Sequence, residues 1–300
     1  MSTLGFISSS SGLRCVRGFM AALAVVAPTP LMAQAGPQSL PLGDLLGVLK
    51  TVDVGVGNRT AHMIFDTGGG ITVITPEFAE RIGCRGWGQL TGFRLSGERL
   101  TMPRCGPVTI NFGGRSIHQE VGIFDLAALL PPDAPKLDGV FSLDVLQSLP
   151  FTVDLAGGRL VLETPASLAA RTSNAVELPV RLHRQAGGAS LTAMVAVAAR
   201  AGPLWMQLDA GSDAALQLPP SSVAALDHKV GVEPPTANLL LEGPTGKTIS
   251  ADSSYRERDM ITDGNIGIPI MRQWILTFDL SQPKLWIAPV TAIKAPQDEK

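Results

Sequence analysis

The chain has 300 residues, 45% of them hydrophobic and 17% charged, which is enough apolar material for one sizeable core or two smaller ones and excludes a disordered chain. A formal charge of −2 and the lack of any dense Lys/Arg cluster exclude a nucleic-acid partner, because nothing supplies a basic field for a phosphate backbone. Four scattered histidines, with no His-Glu-x-x-His and no Cys/His clustering, give no support for a metal site.

At the start of the chain, Arg14 and Arg17 precede an apolar run from Gly18 to Leu31 that ends at Ala33-Gln34-Ala35, the layout of a secretory signal peptide over residues 1–35. The run carries Pro28 and Pro30 and falls short of the ~20 apolar residues that span a bilayer, so the segment is read as cleaved. An uncleaved anchor is the competing reading. The mature protein is then secreted or periplasmic, free of the membrane, with 22 basic against 26 acidic residues. Cys15 leaves with the signal. Cys84 and Cys105, 21 residues apart in an exported chain, point to a single disulfide, with two unpaired thiols as the alternative.

Beyond residue 35, short runs rich in Val, Ile, Leu and Thr alternate with Gly, Pro, Asn and Asp, the pattern of an all-β protein. Strands are predicted at Leu49–Val56, Thr60–Phe65, Val108–Phe112, Phe151–Leu155, Leu191–Ala199, Leu204–Leu208 and Trp274–Leu280. Two short helices are predicted, Pro76–Ile82 behind Thr75 as N-cap and Pro220–Leu226. The segment Gly243–Thr248 resembles a phosphate loop only superficially, since Leu241 stands where the first glycine should be; it reads as a hairpin turn. The four tryptophans, Trp87, Trp205, Trp274 and Trp286, are assigned to core or cleft wall.

An internal duplication organises these elements. His62-Met63-Ile64-Phe65-Asp66-Thr67-Gly68 matches Trp205-Met206-Gln207-Leu208-Asp209-Ala210-Gly211, and a short helix follows each. Farther on, Asp138-Gly139-Val140-Phe141-Ser142 leads to Thr152-Val153-Asp154, as Asp263-Gly264-Asn265-Ile266-Gly267 leads to Thr277-Phe278-Asp279, with the spacing from first to last aspartate 16 in both copies. Each half closes on a hairpin, around Gly157-Gly158 and around Gln282-Pro283. The expected division is an N-terminal β-lobe over 36–170 and a C-terminal one over 171–300, joined through Thr164–Asn174.

Each half thus brings a strand into an Asp-x-Gly turn. Two aspartates facing each other at about 3 Å cannot both ionise; they share a proton and act as base and acid at once. A lone Asp in a Gly-rich turn usually bonds only its own backbone, and the duplication is what favours the pair. Asp138, Asp154, Asp263 and Asp279 read as turn and strand-end residues.

The paired Asp-Thr-Gly and Asp-Ala-Gly turns, each with a downstream apolar segment ending in Gly or Ser, resemble the pepsin and retropepsin superfamily of aspartic peptidases. The likeness is strongest to exported bacterial retropepsin-like proteins, over Lys50 to Pro289. The resemblance implies a two-lobed acid-protease fold with an interlobe cleft, and an aspartic endopeptidase that hydrolyses a peptide or protein substrate, as a monomer, without cofactor or metal. It implies Asp66 and Asp209 as the catalytic dyad. Thr67, Gly68, Ala210, Gly211 and Ser212 become the supporting turn residues, with Thr67 bracing the turns across the lobes and Ile266-Gly267 packing beneath the second. A flap hairpin is implied between Phe93 and Val121, without the pepsin-type tyrosine, since Tyr255 is in the second half. Three positions depart from the pattern: Ala210 lacks a hydroxyl for its half of the brace, Gly69 replaces a usual Ser or Ala, and Ser142 replaces a glycine. These departures carry the alternative of a weak or inactive pseudo-peptidase that binds extended peptides in its cleft.

Overall fold

Residues 36–226, 228–229 and 233–290 are described by a computed structural model, so the expected signal peptide lies outside the described residues. Strands form sheets of eleven, eight and three members. The expected strands are present with ends moved by a few residues, and Val108–Phe112 proves to be the end of the longer strand Arg99–Phe112.

The duplication is built into the strand order. In the first half, Leu49–Val56 pairs antiparallel with Arg59–Phe65, which runs parallel to Gly139–Phe141. That strand is antiparallel to Val73–Ile74, which runs parallel to Arg115–Ile123. In the second half, Thr192–Val197 and Leu204–Asp209 pair antiparallel, and Asn265–Gly267, Leu216–Leu218 and Arg256–Glu257 follow with the same alternation of direction. The repeated aspartates close equivalent turns. Asp138 Oδ2 accepts from His62 N at 2.9 Å, and Asp263 Oδ2 from Trp205 N at 2.7 Å. Asp154 accepts from Gly157 N, and Asp279 from Ser281 N. Short carboxylates satisfy backbone donors that would otherwise stay unpaired, distant in sequence for Asp138 and Asp263 and within the turn for Asp154 and Asp279.

The halves share the eleven-stranded sheet. Phe151–Asp154 from the first repeat pairs antiparallel with Trp274–Asp279 from the second. Thr152 opposes Thr277, the equivalent residue, with their hydroxyls 2.9 Å apart, and the Phe151 and Phe278 rings stack at 4.9 Å beside them. An aromatic pair of this kind contributes about 0.5–1.5 kcal/mol beyond its buried area. The fully buried Phe65, Phe141, Phe151, Phe278 and Trp274 belong to one apolar core, and a smaller cluster holds Ile64, Ile71, Leu90, Met102 and Val140.

Helix Pro76–Arg81 starts where the sequence places it, with Thr75 Oγ1 accepting from Phe78 N at 3.2 Å, and the second expected helix spans Pro220–Ala225. The stretch expected only as a junction contains a helix, Pro165–Thr172. Its N-terminus uses a capping box of Thr164 and Ser167, a weaker sequence signal than the usual Glu or Gln at the third helical position. Cys84 and Cys105 form the expected disulfide, and a loop of that length stabilises by about 3 kcal/mol in the chain-entropy account. Gly243–Lys247 makes the hairpin turn between Thr236–Glu242 and Thr248–Ser254, Gly246 taking φ +77°.

Candidate active site

Asp66 follows directly on Arg59–Phe65, and Asp209 is the last residue of Leu204–Asp209. Asp66 N donates to Phe141 O at 3.0 Å, which fixes the turn to the parallel neighbour strand. Within each turn the carboxylate folds back on the chain: Gly68 N donates to Asp66 Oδ1 at 2.7 Å and Gly211 N to Asp209 Oδ1 at 2.9 Å.

The glycines explain how closely the turns meet. A side-chain carbon at Gly68 would lie 2.4 Å from Asp209 Cγ, and one at Gly211 would lie 2.4 Å from Asp66 Cγ. Each carboxyl therefore rests on the bare glycine of the other turn, and the two carboxyls are hydrogen-bonded to each other. Burial holds Asp66 well above the usual carboxylate range, reinforced by the charge of Asp209 and the bond between them, and opposed by the N–H groups of Gly68 and Gly69. Burial raises Asp209 too, against the Asn265 amide, Asp66 and Gly211 N. The pair can thus hold one proton where two separate carboxylates would hold none at neutral pH.

Thr67 is buried between the turns. Its Oγ1 donates to Leu208 O at 2.8 Å and accepts from Ala210 N at 2.9 Å, so this half of the interlobe brace is complete. Ala210, equally buried, has no hydroxyl to return the contact. Ser212 N donates to Asp209 O at 3.3 Å, while its hydroxyl reaches only to Ala214 O at 3.5 Å. The two other departures from the pattern meet in space. A side-chain carbon at Gly69 would lie 2.8 Å from both Asp66 Oδ2 and Ser142 Oγ, so the Ser142 hydroxyl fills the room that a residue larger than glycine would need.

The flap must be moved from its expected position. The hairpin at the cleft is Trp87–Phe93 returning as Arg99–Phe112, with its tip at Leu95–Gly97, whereas Phe93 to Val121 would combine half of it with the next hairpin. Two turns compete in this stretch: Ser96-Gly97, where Gly97 has φ +82°, and Gly113-Gly114, with φ +50° and +70°. The pattern of alternating residues alone does not say which of them faces the dyad.

Under the hairpin is a cavity of about 340 Å³, walled by Gly68–Ile71, Leu90, Phe93, Leu95 and Met102 on one side and by His183, Gln185, Gln207 and Ile261 on the other. The tip is fastened across it: Ile261 N donates to Leu95 O at 2.9 Å, and Phe93 N to Gln185 Oε1 at 2.5 Å. Of the tryptophans, Trp274 is core, Trp87 is half-exposed at the base of the flap hairpin, and Trp205 and Trp286 carry Arg181 and Lys284 over their rings. Tyr255 is buried in the core.

Three buried polar groups at the site were not singled out in the sequence. Asn265 Nδ2 donates to Asp209 Oδ2 at 2.8 Å, and Gln207 Nε2 donates to Gly68 O at 3.2 Å. Asp144, in the short helical turn Leu143–Val145, accepts from Thr72 N, Thr72 Oγ1 and Gln119 Nε2, and burial raises it to about 6. A signal for the first two was present: in the aligned repeats they replace the apolar residues Val140 and Ile64. Among the described residues no group of three His, Cys, Asp or Glu side chains is placed to hold a metal.

A family model described as aspartyl protease matches residues 52–145, which include Asp66 and the flap hairpin. No curated protein matches the chain by sequence. Among solved structures, basic 7S globulin from soybean superposes with a TM-score of 0.56 at 10% identity, over 86% of this chain and 96% of its own. Conglutin gamma, a basic 7S globulin from lupine seeds, gives 0.55 at 9% identity, again over 86% and 96%. At such identities the likeness shows the fold, which is the two-lobed pepsin-like one.

Proposed function

We propose an exported aspartic endopeptidase acting on extended peptides in the cleft between its halves, a reading supported by the pepsin-like fold and by the match of residues 52–145 to the aspartyl protease family model. The observation that carries this reading is the reciprocal seating of Asp66 and Asp209, each carboxyl against the glycine of the opposite turn. A water held between them gives its proton to the ionised carboxylate and attacks the peptide carbonyl, whose oxygen takes a proton from the other carboxyl. Asp209, whose Oδ2 accepts from the Asn265 amide, is the base in this scheme, and Asp66 the proton donor. The flap hairpin lies over the cavity, and its Phe93 N–H and Leu95 carbonyl, held by Gln185 and Ile261, are main-chain groups that an extended substrate pairs with in strand fashion by displacing those two contacts. Secretion, a monomeric state and a peptide substrate are parts of the same proposal.

The test is hydrolysis of an unfolded protein substrate by the purified protein between pH 3 and 7, with and without a statine-type inhibitor. Cleavage abolished by the inhibitor supports the proposal; cleavage indifferent to it overturns it. A second reading rests on Ala210: with half the brace absent, the cleft serves as a peptide-binding site without turnover. Binding of an extended peptide with no cleavage at any pH would select that reading.

A further inference from the structure

By strand register the pair Gln207 and Asn265 in the second half occupies the place of Ile64 and Val140 in the first: Ile64 opposes Val140, and Gln207 opposes Asn265. The first pair is apolar and contributes to the smaller cluster beside the cleft. The second consists of two amides, both buried, Asn265 being only 1% exposed. Packing alone does not account for them. Asn265 Oδ1 is buried without a hydrogen-bond partner among the described residues, and an unpaired buried acceptor costs stability that the apolar residue of the first half avoids. The compensation is at the other end of each side chain. Asn265 Nδ2 reaches Asp209 Oδ2, so that with Gly211 N on Oδ1 both oxygens of Asp209 are held. Gln207 Nε2 reaches across to Gly68 O in the opposite turn, a different atom from the Phe65 O and Thr67 N that a hydroxyl at position 210 would meet by symmetry with Thr67.

We propose that Gln207 and Asn265 are a pair of positioning residues: Asn265 keeps Asp209 as the carboxylate that accepts the proton of water, and Gln207 adds a separate tie across the halves, to Gly68 O of the first turn. The pair makes an otherwise symmetric dyad unequal, and it does so from the side of the second turn alone. A neutral amide donor stabilises the ionised form of the carboxyl it touches and leaves the total charge of the site unchanged. Asp66 has no amide side chain in the corresponding place, since Val140 stands there. The proposal rests on the peptidase reading for its role in turnover, but the hydrogen bonds themselves do not depend on turnover.

The experiment is a titration of the dyad by carboxyl-carbon NMR on the full-length protein with labelled aspartate, in the unmodified protein, in Asn265→Val and in Gln207→Ile/Asn265→Val. The double variant copies the Ile64/Val140 pair that the first half already packs, which provides a folded protein if the single change does not. In both variants the lower of the two apparent transitions is expected to move up by about one pH unit. The acid limb of kcat/KM is expected to move with it. In Gln207→Ile alone, hydrogen exchange at the amides of residues 68–71 is expected to quicken about five-fold, the equivalent of one lost hydrogen bond. A lower transition unmoved in a folded Asn265 variant overturns the proposal. A transition that moves in a protein inert toward peptides upholds the pair while removing the peptidase reading, and an unmoved transition in an active protein does the reverse.

Discussion

The turns at Asp66 and Asp209 have the same backbone and different support. Both fold a carboxylate back onto the N–H two residues on, and both present a bare glycine to the other's carboxyl. Around that shared frame, the first half puts its buried polar groups at Thr72 and Asp144 and keeps Ile64 and Val140 apolar. The second half reverses this, with amides at Gln207 and Asn265 and with Leu216 and Pro269 where register places the counterparts of Thr72 and Asp144. The close approach of the two carboxyls requires the Asp and the bare Gly of each turn. The groups that decide how each carboxyl is held can be supplied from different strands, because several neighbours reach the same buried spot.

The largest effect should come from changing what the turns have in common. Gly68→Ala and Gly211→Ala each force a carbon to 2.4 Å from the opposite carboxyl, so the turns must part. A displacement on the order of 1 Å is expected to lower kcat/KM about 100-fold or more in either variant. Activity near that of the unmodified protein in one and not the other would break the symmetry of the frame.

The next effects belong to one half only. Asp144 is raised to about 6, chiefly by burial, so the folded state binds its proton more tightly than the unfolded chain does. The stability this contributes is complete below the ordinary aspartate range and is lost as pH rises through about 6. On the difference from an ordinary aspartate it amounts to at most about 3 kcal/mol. Urea denaturation at pH 4 and pH 7 is expected to show that loss in the unmodified protein and a smaller one in Asp144→Asn. Both dyad carboxyls are raised as well and contribute in the same direction, so the difference between the two proteins isolates Asp144.

Thr67→Val leaves Ala210 N and Leu208 O unpaired in a buried place, and is expected to cost about 2 kcal/mol in a denaturant titration. A cost near zero would mean that Gln207 alone holds the two turns together. The smallest effect is expected at the flap tip. Gln185→Ala removes the acceptor of Phe93 N and leaves the bond from Ile261 N to Leu95 O, so amide exchange in residues 93–97 should quicken about five-fold with global stability unchanged.

Much of this was legible in the sequence, for identifiable reasons. The duplicated strand order follows from the repeat that places Asp138 and Asp263 at matching distances from Asp154 and Asp279. The Cys84–Cys105 disulfide and the cap at Thr75 follow from local chemistry. The expected range Phe93 to Val121 contains the flap tip but not the strand Trp87–Phe93 that leads to it, because Ser96-Gly97 and Gly113-Gly114 are equally good hairpin turns and only long-range packing decides which one lies over the cavity. The roles of Asn265 and Gln207 were missed because an amide within a strand reads as solvent-facing until the partner strand is known. The exchange of Gly69 and Ser142 reads as two separate departures along the chain, and only the fold brings the Ser142 hydroxyl into the space beside Gly69.

The central claim, that Asp66 and Asp209 act as one acid–base unit, is tested most directly by peptide hydrolysis in four purified proteins: unmodified, Asp66→Asn, Asp209→Asn and the double variant. If they act as one, either single change lowers kcat about 10³-fold and the double change lowers it little further, since general acid–base steps supply about 10²–10⁴-fold and neither carboxyl serves alone. Single variants that keep substantial activity, or losses that multiply in the double variant, would contradict it.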